Sequence, residues 1–240
     1  ALEVAQIDAI ASANWLASAS YVARQYPQGL FIDIGSTTTD ILLLNNHQVA
    51  AVGYTDFQRL SSGELVYMGL VRTAVMAVTQ SVYFAGNEVG LMNEYFATMA
   101  DIYRLTGELN EQHDQSDTAD GSDKSIAAST RRLARMVGCD VQDFSEPQWQ
   151  QLARQIRAQQ VSRTQQACEK QLSRLALRDD TVLIGAGIGR FLVEEIAHRL
   201  GIAYVDFNSL FKRDGAVCEM QVADCAPAVS VAYLSINKKF

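Results

Sequence analysis

The residues with the clearest chemical promise lie in one stretch, Ile32-Asp33-Ile34-Gly35-Ser36-Thr37-Thr38-Thr39-Asp40. A glycine and four consecutive hydroxyl side chains stand between two aspartates. Gly35 lets the backbone approach a ligand, and successive N–H groups at such a turn form an anion-binding concavity. Ser36, Thr37, Thr38 and Thr39 add donors suited to phosphate oxygens, and Asp33 and Asp40 are placed to hold a hydrated divalent cation beside them. The plainer reading is a polar hairpin with a Thr-rich turn. Two acids bracketing one glycine and four hydroxyls exceed what a connector requires, so a phosphate site is expected.

A second glycine-rich run, Thr181-Val182-Leu183-Ile184-Gly185-Ala186-Gly187-Ile188-Gly189-Arg190, reads as a buried strand entering a tight turn and then a helix. Gly185, Gly187 and Gly189 are expected to bring a phosphate or nucleoside to the helix N-terminus, where free N–H groups and the macrodipole favour negative charge. The run contains GxGxG, but only Asp206 lies near the distance of a ribose-binding acid and no further βα repeats follow, which disfavours a dinucleotide-binding dehydrogenase. His47, His113 and His198 have no spacing that suggests a metal or a triad, and Cys139, Cys168, Cys218 and Cys225 form no CxxC pair.

Positioning these groups requires an α/β frame. Apolar runs at 30–34 and 40–45 read as adjacent antiparallel strands, with a turn at Asn45-Asn46-His47-Gln48 and a third strand over 49–54. Residues 3–24 carry Val4, Ile7, Ile10, Ala13, Leu16 and Ala17 at helical spacing, and Tyr26-Pro27-Gln28-Gly29 ends that helix. The stretch 60–80 is mixed. A helix is expected over 93–105 with Tyr95, Phe96, Met99, Ile102 and Tyr103 on its apolar side. Residues 107–123 hold Glu108, Glu111, Asp114, Asp117, Asp120 and Asp123 without a Lys or Arg, the pattern of a solvated loop, although a loop of that length also serves as a lid or binding element. Helices over 125–137, closed by Gly138, and over 149–175 follow, then a helix over 191–200, a short strand ending at Asp206, and a closing strand or helix over 225–234.

Composition narrows the function classes. At 240 residues, 48% of them hydrophobic and only three of them proline, the chain is globular. A net charge of −7 argues against a nucleic-acid partner. No apolar run reaches bilayer-spanning length and the N-terminus lacks the order of a signal peptide, so neither a membrane partner nor export is expected. The cysteines read as reduced thiols, and a cytoplasmic location is expected.

With both glycine-rich motifs placed, the chain resembles one half of the actin-like fold shared by sugar kinases, Hsp70 and actin; IDIGSTTTD is similar to the second phosphate hairpin in the form used by the hydantoinase/oxoprolinase group. The segments ANWLASA (13–19), IDIGSTTTDILLL (32–44), GELVYMG (63–69), NEYFATMADIYRLTGEL (93–109), TADG (118–121), RRLARMVG (131–138) and IGAGIGRFLV (184–193) together resemble proteins of the tetrahydromethanopterin-linked one-carbon pathway. The individual motifs are modest, whereas their order and joint presence are specific. That resemblance implies an α/β, actin-like or ribonuclease H-like mixed sheet with flanking helices. It makes residues 1–28 a connecting helix from an N-terminal lobe upstream of Ala1, and residues 29–240 a C-terminal lobe with a helical and acidic-loop insertion at about 60–178.

The activity implied is the synthase step for the (phenoxymethyl)furan-methanamine unit of methanofuran-type cofactors. An aminomethylfuran-methyl diphosphate would lose diphosphate, and the phenol of tyramine, its glutamyl derivative or tyrosine would capture the furfuryl cation as an aryl ether. Such a site must neutralise the leaving diphosphate, with Mg²⁺ as the implied cation, and exclude water. From that chemistry Asp33 and Asp40 are expected to organise Mg²⁺, Gly35 to Thr39 to cradle phosphate, and Arg72 to clamp the diphosphate in bidentate fashion. Arg131 and Arg135, four apart on one helix face, are candidates for the same anion, against the plainer reading of a solvated basic face. Glu64 and Asp101 are the general-base candidates for the phenol, alongside the plainer reading of ion-pair partners. Asp120 and Lys124 carry over through TADG as substrate-binding residues at the site mouth. A homo-oligomer is compatible with this reading. The alternatives are an ATP-dependent enzyme of the hydantoinase or sugar-kinase type, for which ATP would be the cofactor, and a non-catalytic actin-like nucleotide-binding protein or an inactive fragment.

Overall fold

The computed structural model describes residues 14–211 and 220–236. In chain order its elements are helix α1 (Asn14–Ala23), strands β1 (Gln28–Ile34), β2 (Thr39–Asn45) and β3 (Gln48–Val49), helix α2 (Asp56–Ser62) and strand β4 (Leu65–Val66). Then come α3 (Val75–Val78), the hairpin β5 (Ser81–Phe84) and β6 (Asn87–Gly90), α4 (Met99–Thr106), α5 (Ile126–Met136) and α6 (Glu146–Leu172). Strand β7 (Val182–Ala186), helix α7 (Arg190–Leu200), strand β8 (Ala203–Asp206) and helix α8 (Ala226–Ile236) close the series. The described residues form two compact units, one of 14–34, 39–66, 165–211 and 220–236, the other of 35–38 and 67–164.

The first unit is built on a sheet of order β3-β2-β1-β7-β8, with β4 also pairing to β2. The β1–β2 and β2–β3 pairs are antiparallel, whereas β1–β7 and β7–β8 are parallel. It is the mixed α/β sheet with flanking helices that the sequence implied. Strand β1 is buried along its whole length and β2 nearly so, which explains why both read as near-continuous apolar runs rather than alternating ones. On one face Trp15, Ala19 and Val22 of α1 pack with Phe31, Leu42, Leu44, Ile184 and Phe207. At about 25 cal/mol per Å² of apolar surface removed from water, burial of this kind dominates the stability of the unit.

The third strand is shorter than expected. It ends at Val49, and the following backbone is captured by a buried carboxylate: the amides of Val52 and Gly53 donate to Glu64 Oε1 and Oε2 at 2.7 and 2.8 Å. Gly53 is then pressed onto α2, where a Cβ would meet the Arg59 amide at 2.7 Å. Helix α2 starts at a capping box, with Gln58 N donating to the Thr55 hydroxyl and Thr55 N to the Gln58 side chain.

In the second unit, the helix expected over 93–105 begins only at Met99. Its upstream segment is held as extended chain: Val75 N donates to Ala97 O at 3.0 Å, Met99 N to Thr73 O at 2.8 Å, and Ala74 bridges Thr98. Thr98 and Asp101 then form a capping box that fixes the start. Tyr95, expected in the core, is therefore 48% exposed. The β5–β6 hairpin has no counterpart among the expected elements; its two-residue turn places Ala85 and Gly86 at φ 49° and 81°, the left-handed pair that such a turn demands. Helices α5 and α6 fall near their expected places, α5 capped by Ser125, whose hydroxyl accepts from Ala128 N at 3.1 Å. Of the helix expected over 3–24, Val4, Ile7, Ile10 and Ala13 lie outside the described residues.

Candidate functional site

In the first unit, the carboxyl end of β1 carries Asp33, paired across the ladder with Asp40. The two aspartates have different surroundings. Asp40 is engaged by Arg59, itself buried and stacked with its guanidinium 4.2 Å from the centre of the Trp15 ring. No donor among the described residues reaches the Asp33 carboxylate, and burial, with the charge of Asp40 beside it, pushes its carboxyl up to about 8. Burial also raises Asp40, against the opposing pull of Arg59. Of the two acids expected to share a cation, then, Asp40 already has a cationic partner and Asp33 is the uncommitted one. Among the described residues no group of three or more His, Cys, Asp or Glu is arranged to hold a metal ion. Asp33 is therefore the one carboxylate of the pair left for a divalent cation, and burial and Asp40 both oppose its charged form.

The glycine-rich turn after β7 docks against the same strand end. The amide of Gly189 donates to Ile34 O at 2.9 Å and that of Gly187 to Ala223 O at 2.8 Å. A Cβ at Gly187 would stand 2.4 Å from Asp33 Oδ1, and one at Gly189 would stand 2.5 Å from Ile34 Cγ2. These glycines therefore secure close packing beside Asp33, and their amides are already used within the protein rather than held open for phosphate. Gly185 is glycine for another reason: the Tyr204 ring covers it, 2.8 Å from where a Cβ would sit. Arg190 ties the turn down by donating to Gly187 O at 2.9 Å while pairing with Asp206 and Asp224.

In the second unit, the hydroxyl-bearing loop is half-buried and clasped by the segment from Gly69 to Arg72. Leu70 N donates to Gly35 O at 2.9 Å, and Val71 N and Arg72 N both donate to Ser36 O, at 3.0 and 2.9 Å. The loop closes on itself through Gly35 N to Thr38 O at 2.9 Å. No acceptor among the described residues takes the amides of Ser36, Thr37 or Thr38. These three amides, beside the Ser36, Thr37 and Thr38 hydroxyls, are donors left for an outside acceptor; Thr39, in contrast, is buried in β2.

Two residues that sequence reasoning passed over make this possible. Gly69 lies under the loop, where a Cβ would fall 2.5 Å from Thr37 N. Its carbonyl accepts from the buried Gln160 side chain at 3.0 Å, and Gln160 in turn accepts from the Tyr103 hydroxyl at 2.7 Å. The only sequence signal was the glycine ending GELVYMG. Arg72, beside the loop, is exposed and makes no ion pair among the described residues, with its Nε donating to Ser116 Oγ at 3.0 Å.

The two general-base candidates are committed elsewhere. Glu64 is fully buried, accepts the Val52 and Gly53 amides and the Ser62 hydroxyl, and faces Arg174 at 3.4 Å. Asp101 is 2% exposed; it accepts from Thr98 N, Ser129 Oγ and Arg132, whose Nη2 lies 2.7 Å away. With their lone pairs spent on buried donors, both organise the fold rather than await a phenol. The acidic loop is not loosely solvated either. Asp114 is buried against Arg104 at 2.7 Å and against Lys124 at 3.4 Å, and Asp120 bridges Arg132 and Arg135, each at 3.1 Å. Burial works against the Asp120 charge, but hydrogen bonds from Ser122 and Arg132 outweigh it and hold this carboxyl down at about 2. Arg135 is thereby occupied by Asp120, while Arg131 lines a surface depression of about 360 Å³ with Arg135 and Cys139. Among the described residues no helix is long and apolar enough to cross a membrane.

A mixed sheet whose first hairpin carries a hydroxyl loop, with a glycine turn docked at the end of β1, agrees with the match of residues 3–218 to the Hydantoinase/oxoprolinase profile: the chain belongs to that family. Within it, the chain is similar to the (4-{4-[2-(gamma-L-glutamylamino)ethyl]phenoxymethyl}furan-2-yl)methanamine synthase of Methanocaldococcus jannaschii, 36% identical over 132 residues, which are 55% of this chain and 40% of that relative. The synthase of the same name from Methanococcus vannielii is 31% identical over 116 residues, 48% of this chain and 52% of its own. The matched part thus spans about half the length of these relatives, or less. Among solved structures, component A of the Acidaminococcus fermentans (R)-2-hydroxyglutaryl-CoA dehydratase aligns over 92% of this chain and 65% of its own, at 12% identity and a TM-score of 0.39.

Proposed function

We propose that the protein acts in methanofuran-type cofactor synthesis, joining an aminomethylfuran-methyl diphosphate to the phenol of a tyramine-type or tyrosine substrate with release of diphosphate. The observation that carries this is the loop at 35–38: among the described residues the amides of Ser36, Thr37 and Thr38 have no acceptor, and Arg72, hydrogen-bonded to the loop through its backbone, has no acid paired to its guanidinium. The printed names of both relatives describe the ether product.

In this reading the amides of Ser36, Thr37 and Thr38 and the Arg72 guanidinium receive charge on the phosphoryl oxygens as the furfuryl carbon–oxygen bond breaks. The phenolic oxygen forms the new bond to that carbon. Because Glu64 and Asp101 are both engaged, the phenolic proton leaves with the diphosphate. Asp33 would hold a Mg²⁺ ion, the cation this chemistry calls for. Asp40, held by Arg59, does not join it. Lys124, Asp120, Arg131 and Arg135 act farther from the reacting bond, the first two by fixing the acidic loop. The insertion expected at about 60–178 is supported by the separation of residues 67–164 as part of their own compact unit. A cytoplasmic setting suits these substrates.

The test is incubation of the intact protein and Mg²⁺ with the synthetic furan diphosphate and tyramine, following ether by mass spectrometry and diphosphate by a coupled assay. Equal amounts of ether and diphosphate, with no nucleotide added, are expected. ATP hydrolysis on addition of another substrate, without ether, would instead place the protein among ATP-dependent enzymes of its family.

A further inference from the structure

We propose that Ser116, in the acidic loop, is a positioning residue that aims Arg72 and so makes the anion site selective for a diphosphate over a monophosphate. The inference rests on the phosphate-loop reading above and adds a part to it. Arg72 is tied at two points: its backbone amide donates to Ser36 O at 2.9 Å, and its Nε donates to Ser116 Oγ at 3.0 Å. The first tie sets the residue beside the loop. The second spends the one guanidinium nitrogen that cannot take part in an end-on Nη1/Nη2 fork, leaving that edge without a partner among the described residues.

A hydroxyl at this position orients the guanidinium without neutralising it, which a carboxylate would do. That distinction has weight here, because Ser116 lies between Asp114 and Asp117 in a strongly acidic stretch. Asp114 is already compensated by Arg104, and Asp120 by Arg132 and Arg135. The guanidiniums of Arg104 and Arg132 are buried, so the loop is fastened on both sides of Ser116 to groups that cannot swing away. Ser116 is therefore presented at a fixed place, as a positioning contact must be. The loop amides suit one phosphoryl group, and a fork held beside them suits a second.

The experiment is calorimetric titration of the intact protein with pyrophosphate and, separately, with inorganic phosphate, both with and without Mg²⁺. Wild-type protein is expected to bind pyrophosphate at least about tenfold more tightly than phosphate, as an added bidentate charge-assisted contact implies. Ser116→Ala should weaken pyrophosphate roughly fivefold, the scale of one lost hydrogen bond, while leaving phosphate affinity and the urea midpoint unchanged. Ser116→Thr should retain wild-type selectivity, and Ser116→Asp should weaken pyrophosphate further by pairing with the guanidinium. Wild-type selectivity in Ser116→Ala, or an equal loss for both anions, would overturn the positioning role and leave the loop reading intact. Failure of wild-type protein to bind either anion would overturn the loop reading itself.

Discussion

A methyl group on Gly187 would stand 2.4 Å from the Asp33 carboxylate and 2.3 Å from the Ile34 carbonyl, in a backbone conformation with φ at 79°. Two penalties therefore coincide at one position, a left-handed backbone disfavoured for L-residues and an overlap with a strand that is buried throughout. Gly187→Ala should cost about 3 kcal/mol, summing roughly 1–2 for the backbone and 1–3 for overpacking. Urea denaturation would read this as a lower midpoint at unchanged slope, and a variant as stable as wild type would mean the turn does not sit against Asp33.

Gly69→Ala tests the other unit. A Cβ there would lie 2.5 Å from Thr37 N and 2.6 Å from Ser36 C, so the loop must move to admit it. Pyrophosphate affinity should fall by at least about tenfold in titration, since a shift of a few tenths of an ångström misaligns several amide donors at once. Gln160→Leu should act in the same direction more weakly, because it removes the bond that holds the Gly69 carbonyl and leaves the loop contact in place.

Arg59 and Asp40 form a buried ion pair, and removing one partner leaves the other charge uncompensated. Arg59→Met should destabilise the protein by about 3–5 kcal/mol, and adding Asp40→Asn should recover a large part of that loss. A double variant no more stable than Arg59→Met would show that the stacking on Trp15, not the charge, is what Arg59 contributes.

Asp120 sets a direction for pH. Its carboxyl is held down at about 2, below the ordinary value of 3.8 that it regains on unfolding. Between those values the unfolded chain binds more protons, so stability rises with pH across the window and the contribution is lost as pH falls towards 2. Asp120→Asn should melt below wild type at pH 6 and converge with it near pH 2. A difference that persists undiminished at the acid end would contradict the salt-bridged geometry.

Cys168 supplies a chemical check on α6. It is fully buried, and burial pushes its thiol up to about 12. At pH 8 it should resist a thiol-exchange reagent in native protein and react on addition of denaturant, followed by mass mapping.

What was legible in the sequence is what is local. The hydroxyl loop and the glycine turn each fit within about ten residues, and both stand where the residue types placed them. The helix at 93–105 failed at its start because the apolar spacing of Tyr95 and Phe96 satisfied a helical pattern, while Thr73, Val75 and Ala97 took the same backbone into extended pairing. The β5–β6 hairpin escaped notice because its turn is Ala85-Gly86, and alanine is not a residue that announces a left-handed conformation. Beyond the nearby Ser62 and Thr98, Glu64 and Asp101 are engaged by partners remote in sequence: Gly53 and Arg174 for one, Ser129 and Arg132 for the other. No spacing rule within one element announces a carboxylate's engagement by groups that far along the chain.

The two units are interleaved along the polypeptide: the chain passes from one to the other after Ile34, after Thr38, after Val66 and after Thr164, the last time in the middle of α6. Neither unit can therefore be excised as an uninterrupted recombinant fragment. Binding studies on the 35–38 loop therefore call for the uninterrupted chain.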